Sequence, residues 1–370
     1  MIPRMPGSSS LPVPQPLEPM LARAVAEVPV AAEGSGGYLY EPKWDGFRCI
    51  AFRDGDDLEL GSRGSKPLTR YFPELVEQLL AQLPPRCVVD GEVVVRSGEP
   101  GAERLDWEAL SQRIHPAASR VRQLAEATPA SFVAFDLLAL GEEDLRPRPF
   151  AERRALLEEA LAGARAPLHL TRTTRDPAVA REWFERFEGA GLDGVVAKPL
   201  DAPYAPGQRV MLKVKHHRTA DVVVVGYRVH KSGAGVGSLL LGLHDADGEL
   251  RQVGGASAFT ARARLELEAE LAPLVVRDGD GEVVRGQGEA NRFNARKDHS
   301  WVVLAPELVA EVRYDQMEGD RFRHVAHLQR WRPDREPASC TFAQLDLPVA
   351  YDLDAVLTDA AASAPLASGS

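Results

Sequence analysis

An α+β fold with an antiparallel core, followed by a small five-stranded barrel of the OB type, is the architecture this sequence predicts. Three observations carry it. Apolar and polar residues alternate over 38–60 and again over 87–95, interrupted by Asp45-Gly46 and by 54–57, as in antiparallel strands joined by tight turns. Apolar residues recur at helical spacing over 68–83, 107–114, 150–162 and 177–190, each with a charged opposite face. Beyond residue 220 the pattern changes to short strands with a single helix.

Taken in order, the first 16 residues are rich in Pro and Ser and lack the basic stretch and apolar core of a secretory signal, so 1–30 is expected to be a flexible lead-in. Runs at 132–140 and 194–198 suit buried central strands, which completes a first domain over 31–217. A polar stretch at 215–219 marks the boundary. Strands at 221–227, 238–244 and 249–253, a helix at 260–274, a Gly- and Asp-rich loop at 278–298 and strands at 301–304 and 308–314 form the second domain, 218–341. An SH3-like barrel would show the same pattern. The Ala- and Ser-rich tail, 342–370, is expected to fray.

Composition excludes several classes. The 370 residues suffice for two cores, and the apolar run at 222–226 is far short of the roughly 20 residues of a membrane span, so a cytoplasmic protein with no membrane partner is expected. Cys49, Cys87 and Cys340 have no Cys-x-x-Cys spacing and are read as reduced and structural. A net charge of -10 argues against indiscriminate polyanion binding; a nucleic-acid site must be a local basic surface.

The chemistry-bearing stretch is Glu41-Pro-Lys-Trp-Asp-Gly-Phe-Arg48. A lysine ammonium, with a pKa near ~10.4, is a poor nucleophile until burial or neighbouring cations favour the amine. Arg48, Lys213, Lys215 or a divalent metal could do this for Lys43. Gly46 can take positive φ and let the chain reverse beside a ligand. A hairpin turn bearing a solvated lysine is the competing reading. In Met211-Leu-Lys-Val-Lys215 the two-residue period of a strand puts both lysines on one face, where two ammonium groups could meet a phosphate. An edge strand with alternating lysines would look the same.

Lys43-Trp-Asp-Gly-Phe-Arg48 is followed in order by Ser62-Arg-Gly-Ser65, Asp90-Gly-Glu92, Phe132-Val-Ala-Phe-Asp136, Asp193-Gly-Val-Val-Ala-Lys198, Met211 to Lys215, and Arg330-Trp-Arg-Pro-Asp-Arg335. This ordered set resembles the covalent nucleotidyltransferases, and within them the ATP-dependent DNA ligases. With Pro67-Leu-Thr-Arg-Tyr-Phe-Pro-Glu74 and Val309-Ala-Glu-Val-Arg-Tyr314, it is similar to the small bacterial LigC type and to the ligase module of LigD.

The resemblance implies an antiparallel-sheet adenylation (nucleotidyltransferase) domain followed by a C-terminal OB-fold domain. It implies a lysyl-AMP intermediate on Lys43, ATP with Mg²⁺ or Mn²⁺ as cofactors, and nick sealing in duplex DNA by a monomer, with bacterial Ku or other repair proteins as candidate partners. Catalytic roles are implied for Lys43, Arg48, Glu92, Lys213, Lys215, Arg332, Asp334 and Arg335. Nucleotide contacts are implied for Glu41, Arg48, Arg63, Glu92, Phe135 and Lys198, besides the three lysines. Phe135 would stack on adenine, and Asp193 would bind metal. Asp193 replaces a common glutamate and Arg335 a common lysine of the family pattern. A core phenylalanine and a solvated hairpin carboxylate remain the bland readings of Phe135 and Glu92. An RNA ligase, a capping guanylyltransferase and a non-catalytic DNA-end binder are the competing functions. His216, His217 and His324 are expected at the surface or hinge.

Overall fold

The computed structural model describes residues 10–64, 66–288, 300–345 and 349–358. The chain divides into two compact units. One runs to Lys215 and takes in the described C-terminal residues; the other begins at His216 and extends to 345 among the described residues.

Two sheets build the first unit. The larger runs Asp57–Ser62, Phe47–Asp54, Arg86–Ser97, Ala130–Leu140, all antiparallel, and Leu168–Leu170 joins its last long strand in parallel. Helix Pro73–Gln82 packs Leu75 and Leu79 into the core beneath this sheet, with Cys49, Cys87, Val89 and Phe132. The smaller sheet runs Leu21–Ala24, Arg209–Val214, Val195–Pro199, Tyr38–Pro42. All three cysteines are buried and free.

The antiparallel core stands, but 38–60 is not one hairpin ladder. Tyr38–Pro42 belongs to the small sheet and Phe47–Asp54 to the large one, so residues 43–46 carry the chain from sheet to sheet. Gly46 is needed there for space. A Cβ on it would lie 2.2 Å from the Val93 carbonyl oxygen, and its φ is not in the positive range. The expected helix over 68–83 is split into a 3-10 turn, Thr69–Tyr71, and an α-helix, Pro73–Gln82. Pro73 disfavours helical backbone at Phe72, which takes φ -132° and ψ 56°.

Both ends of the first unit differ from expectation. Leu11, Val13, Leu17 and Met20 are buried against Ile50, Phe52, Val88 and Leu138, so the flexible lead-in is corrected to exclude the described part of 1–30. Their apolar side chains are hidden in composition by the prolines between them. At the other end the chain returns from the second unit. Helix Leu353–Thr358 buries Leu353, Val356 and Leu357 with Phe187 and Leu105, and Tyr351 lies 5.2 Å from the Phe187 ring. Fraying is therefore corrected for 349–358. Three apolar positions at helical spacing repay the ordering.

The second unit is a five-stranded barrel. Arg218–Val229 pairs with Val236–His244 on one side and Val309–Tyr314 on the other; Leu250–Ala256 and His327–Trp331 extend the two flanks. The ring closes where Ala326 N–H donates to Gly255 O at 2.9 Å. Helix Ala261–Leu271 starts at Thr260, whose hydroxyl accepts from Ala263 N–H. The strands Arg285–Gln287 and Ser300–Val303 add to the same sheet, while 289–298 of the expected 278–298 loop lies outside the described residues.

Replacing Leu353, fully buried, by Ala is expected to cost about 2–5 kcal/mol in urea unfolding. A frayed tail would give no change.

Candidate active site

Lys43 follows directly on the strand that ends at Pro42, and its backbone is fastened to a second segment by two reciprocal hydrogen bonds. Lys43 N–H donates to Gly194 O at 2.8 Å, and Asp193 N–H donates to Lys43 O at 3.0 Å. Gly194 takes φ +124°, and a Cβ there would lie 2.0 Å from the Val214 carbonyl oxygen. Three sequence segments thus meet within van der Waals reach.

Their side chains converge as well. Lys43 Nζ lies 2.6 Å and Lys215 Nζ 2.7 Å from the same oxygen, Asp193 Oδ2. Burial by itself would raise the Asp193 carboxyl, but the two ammonium groups hold it below the usual carboxylate range. Lys213 behaves in the opposite sense. Burial, then Lys43 and Lys215, pull its ammonium below the ordinary lysine value, with Arg63 adding to the effect from the exposed turn after Asp57–Ser62. The expected alternation holds: Val214 is buried with Trp44 and Val195, Leu212 packs against the same cluster, and the lysines take the other face.

Glu41 and Lys198 form a buried pair beside this cluster, each 3% exposed, with Nζ to Oε2 at 2.9 Å. Burial, the largest influence on both, pushes the carboxyl up and the ammonium down, against the pull of each partner. Lys198 Nζ also donates to Phe135 O at 3.1 Å. Glu41 Oε1 is buried and accepts no hydrogen bond among the described residues. An acceptor left open in this way fits the exocyclic amine of adenine.

Arg48 and Glu92 are cross-strand partners on Phe47–Asp54 and Arg86–Ser97. The arginine nevertheless clasps the neighbouring Asp90, Nε to Oδ1 and Nη2 to Oδ2, both at 2.6 Å. Glu92 Oε1 accepts from Gly46 N–H at 3.2 Å. Burial pushes the Glu92 carboxyl up to about 7, with Arg48 and Lys43 opposing and Asp45 and Asp90 adding to the rise.

Phe135 is packed between cationic side chains. Its ring is 5% exposed, with the Arg48 guanidinium carbon 4.4 Å and Lys198 Nζ 4.5 Å from the centroid. A base stacking on this ring would compete with these two cations for its faces. The bland reading of this residue as core accounts for part of what is seen.

Arg332, Asp334 and Arg335 lie on the barrel unit. Arg332 Nη1 meets Asp221 at 2.9 Å, Nη2 meets Asp334 at 2.8 Å, and Arg335 Nε approaches Asp221 at 3.3 Å. The hydrogen bonds from Arg332 hold the Asp334 carboxyl down to about 2. Asp221 and Glu311 are directly opposite on paired strands, a like-charge contact that Arg332 offsets by reaching both, at 2.9 and 3.6 Å. His217 and His324, 45% and 56% exposed, are surface residues within 4 Å of Asp315.

No role was read from the sequence for Asp90 and Asp136, though both lie in the ordered motifs, or for Arg153, Tyr204 and Asp221. A signal was present for the first two: a carboxylate inside a continuous apolar strand must find a cation or a donor.

A closed five-stranded barrel and a two-sheet unit that gathers lysines around one carboxylate are what a nucleotidyltransferase is expected to contain. Residues 19–215 match the ATP dependent DNA ligase domain family and 232–335 match the ATP dependent DNA ligase C terminal region. The chain belongs to the ATP-dependent DNA ligases. It is 57% identical to DNA ligase C1 of Mycolicibacterium smegmatis over 354 residues, covering 94% of this chain and 99% of that one. Against DNA ligase C of Mycobacterium tuberculosis the identity is 54% over 362 residues, covering 94% and 98%. A solved Lig E DNA ligase, 17% identical, shares the fold with a TM-score of 0.52 over 85% of this chain and 99% of that one.

The raised Glu92 value has a definite sign for stability. The unfolded carboxyl ionises near 4.5 and the folded one near 7, so stability is full below about 4.5 and falls as pH rises through 7. Thermal melts should show Glu92→Gln gaining on the wild type between these values and holding a constant advantage above pH 8. A difference that does not change with pH would contradict this.

Proposed function

We propose that this DNA ligase seals 3′-hydroxyl/5′-phosphate nicks in duplex DNA through a lysyl-AMP intermediate on Lys43. The observation that carries the reading is the Lys43–Asp193–Lys215 cluster, in which one carboxylate holds two ammonium groups at 2.6 and 2.7 Å. Such a cluster fixes the direction of the Lys43 amine and concentrates positive charge where an α-phosphate would lie.

In the first step Lys43 releases its ammonium proton to solvent, and the freed Nζ lone pair attacks the α-phosphorus of ATP. A P–N bond forms, the bond to the bridging oxygen of pyrophosphate breaks, and the amine loses a proton. In the second, an oxygen of the 5′-phosphate at the nick attacks the same phosphorus and releases lysine. In the third, the 3′-hydroxyl attacks the activated 5′-phosphate and AMP leaves. Covalent catalysis suits a sequence of displacements that each expel a good leaving group.

Lys213 and Lys215 neutralise the α-phosphate in this scheme. Glu41 Oε1 receives the adenine amine, and Lys198 keeps Glu41 in place. Arg48 and Arg63 meet nucleotide and nick phosphates, for which the guanidinium fork is suited. Glu92 serves the ribose and later the nick. Phe135 lines the base pocket and offers its ring to adenine. Arg332, Asp334 and Arg335 handle the β- and γ-phosphates.

ATP fits the open acceptor on Glu41 and the cationic cluster. Among the side chains Asp193 would hold Mg²⁺ or Mn²⁺, which would supply charge neutralisation on the phosphates. The setting proposed is repair of cytoplasmic DNA by a monomer, with bacterial Ku among the candidate partners. No helix among the described residues is long and apolar enough to cross a membrane.

Incubation with α-labelled ATP and a divalent metal should label the protein covalently, and Lys43→Ala should abolish the label. Undiminished label in that variant would sink the mechanism. Asp193→Asn, which loses the charge shared by the two lysines, is expected to slow labelling at least ~10-fold in single-turnover assays. A labelled nick with deoxyribose on both sides should be sealed with ATP and not with GTP; preference for nicked RNA would favour the RNA-ligase reading.

A further inference from the structure

Two buried carboxylates face each other across the centre of the large sheet. Asp90 on Arg86–Ser97 is opposite Asp136 on Ala130–Leu140, and they are 0% and 1% exposed. Like charges at this spacing persist in a sheet only when each is compensated. Each has its own arginine. Arg48 clasps Asp90 with two bonds of 2.6 Å, and Arg153 clasps Asp136 with bonds of 2.8 and 2.9 Å.

Tyr204 joins these two pairs. Its hydroxyl lies 2.6 Å from Asp90 Oδ2, the oxygen that also takes Arg48 Nη2, and its ring centroid lies 5.7 Å from the Arg153 guanidinium carbon. The direction of the hydroxyl bond is settled by a third partner. Met20 N–H donates to the same hydroxyl oxygen at 3.0 Å, so the phenolic proton points at Asp90. Burial first, and then the Asp90 charge, raise the phenol well above its ordinary value, which keeps it a donor at any working pH.

The scaffold and not the cleft sets where this hydroxyl sits. Tyr204 N–H donates to Arg146 O at 2.8 Å, Arg153 Nη1 donates to Ala202 O at 3.1 Å, and Ala205 N–H approaches Met20 Sδ at 3.4 Å. Tyr204 is 4% exposed and lies outside the ordered motifs of the sequence. Asp90 is held by a fixed donor on one side, and on the other it presents a fixed pair of acceptors to Arg48, whose side chain is 21% exposed.

We propose that Tyr204 is a positioning residue for the ligase reaction: through Asp90, its hydroxyl holds the Arg48 guanidinium in the orientation from which it meets the nucleotide. The inference rests on the role given to Arg48 above. Removing the hydroxyl frees the carboxylate to turn and loosens both prongs of the clasp, while the ring and its packing remain.

A mutant cycle tests this. Single-turnover labelling by α-labelled ATP is measured for wild type, Tyr204→Phe, Arg48→Lys and the double variant, with rates normalised to the folded fraction from circular dichroism. Tyr204→Phe is expected to label about 10-fold more slowly, the size of a lost hydrogen bond to a charged group. In the Arg48→Lys background the same change should add less than a twofold effect. Equal losses in both backgrounds would mean a merely structural role and overturn the inference, as would wild-type kinetics in Tyr204→Phe. Labelling of the wild type in the same series keeps this outcome separate from a failure of the covalent mechanism. If Tyr204→Phe does not fold, Asp90→Asn takes its place in the cycle, with the same two outcomes.

Discussion

The site depends on the fastening of Lys43 to the Asp193-Gly194 segment. Two backbone hydrogen bonds tie positions 150 residues apart in sequence, and the side chains of the same two residues meet at 2.6 Å. Backbone bonds fix where the amine's stem leaves the chain, so the side chain has few ways to point. Gly194 makes the junction possible because only a residue without Cβ can pass the Val214 carbonyl. Lys215, next in the chain, is thereby delivered to the same carboxylate.

Charge compensation is the second constraint. The first unit buries Glu41, Asp90, Asp136 and Asp193, all at 5% exposure or less. Each carries a cation: Lys198, Arg48, Arg153, and the pair Lys43 and Lys215. Isolated buried charges of this kind would cost several kcal/mol each. Their arrangement in pairs lets an acidic protein group Lys43, Lys213 and Lys215 in one place. The overall charge of -10 therefore says little about the charge around these lysines.

Much of this was legible beforehand. The alternation around Lys213 and Lys215 is a property of any strand, and the ordered motifs point to one family. Less legible were the ends of the first unit. Proline-rich composition at 10–20 and alanine-rich composition near the C-terminus both mimic disorder, whereas Leu11, Met20, Leu353 and Val356 are buried in specific places. Phe135 shows the limit from the other side: a motif can assign a ring to a base, but not report that Arg48 lies over it.

By itself the sequence determined the α+β core, the barrel after it and the ligase family, and it pointed to Lys43 as the candidate nucleophile. Those follow from periodicity and from the order of motifs, which are local properties of the chain. Tertiary structure decided which partners the charged residues take. Arg48 turns to Asp90 instead of its cross-strand neighbour Glu92, Asp193 is shared by two lysines, and Tyr204 reaches Asp90 from a loop 114 residues away. Pairing of this sort depends on distance and desolvation in three dimensions, and neither can be read from spacing along the chain.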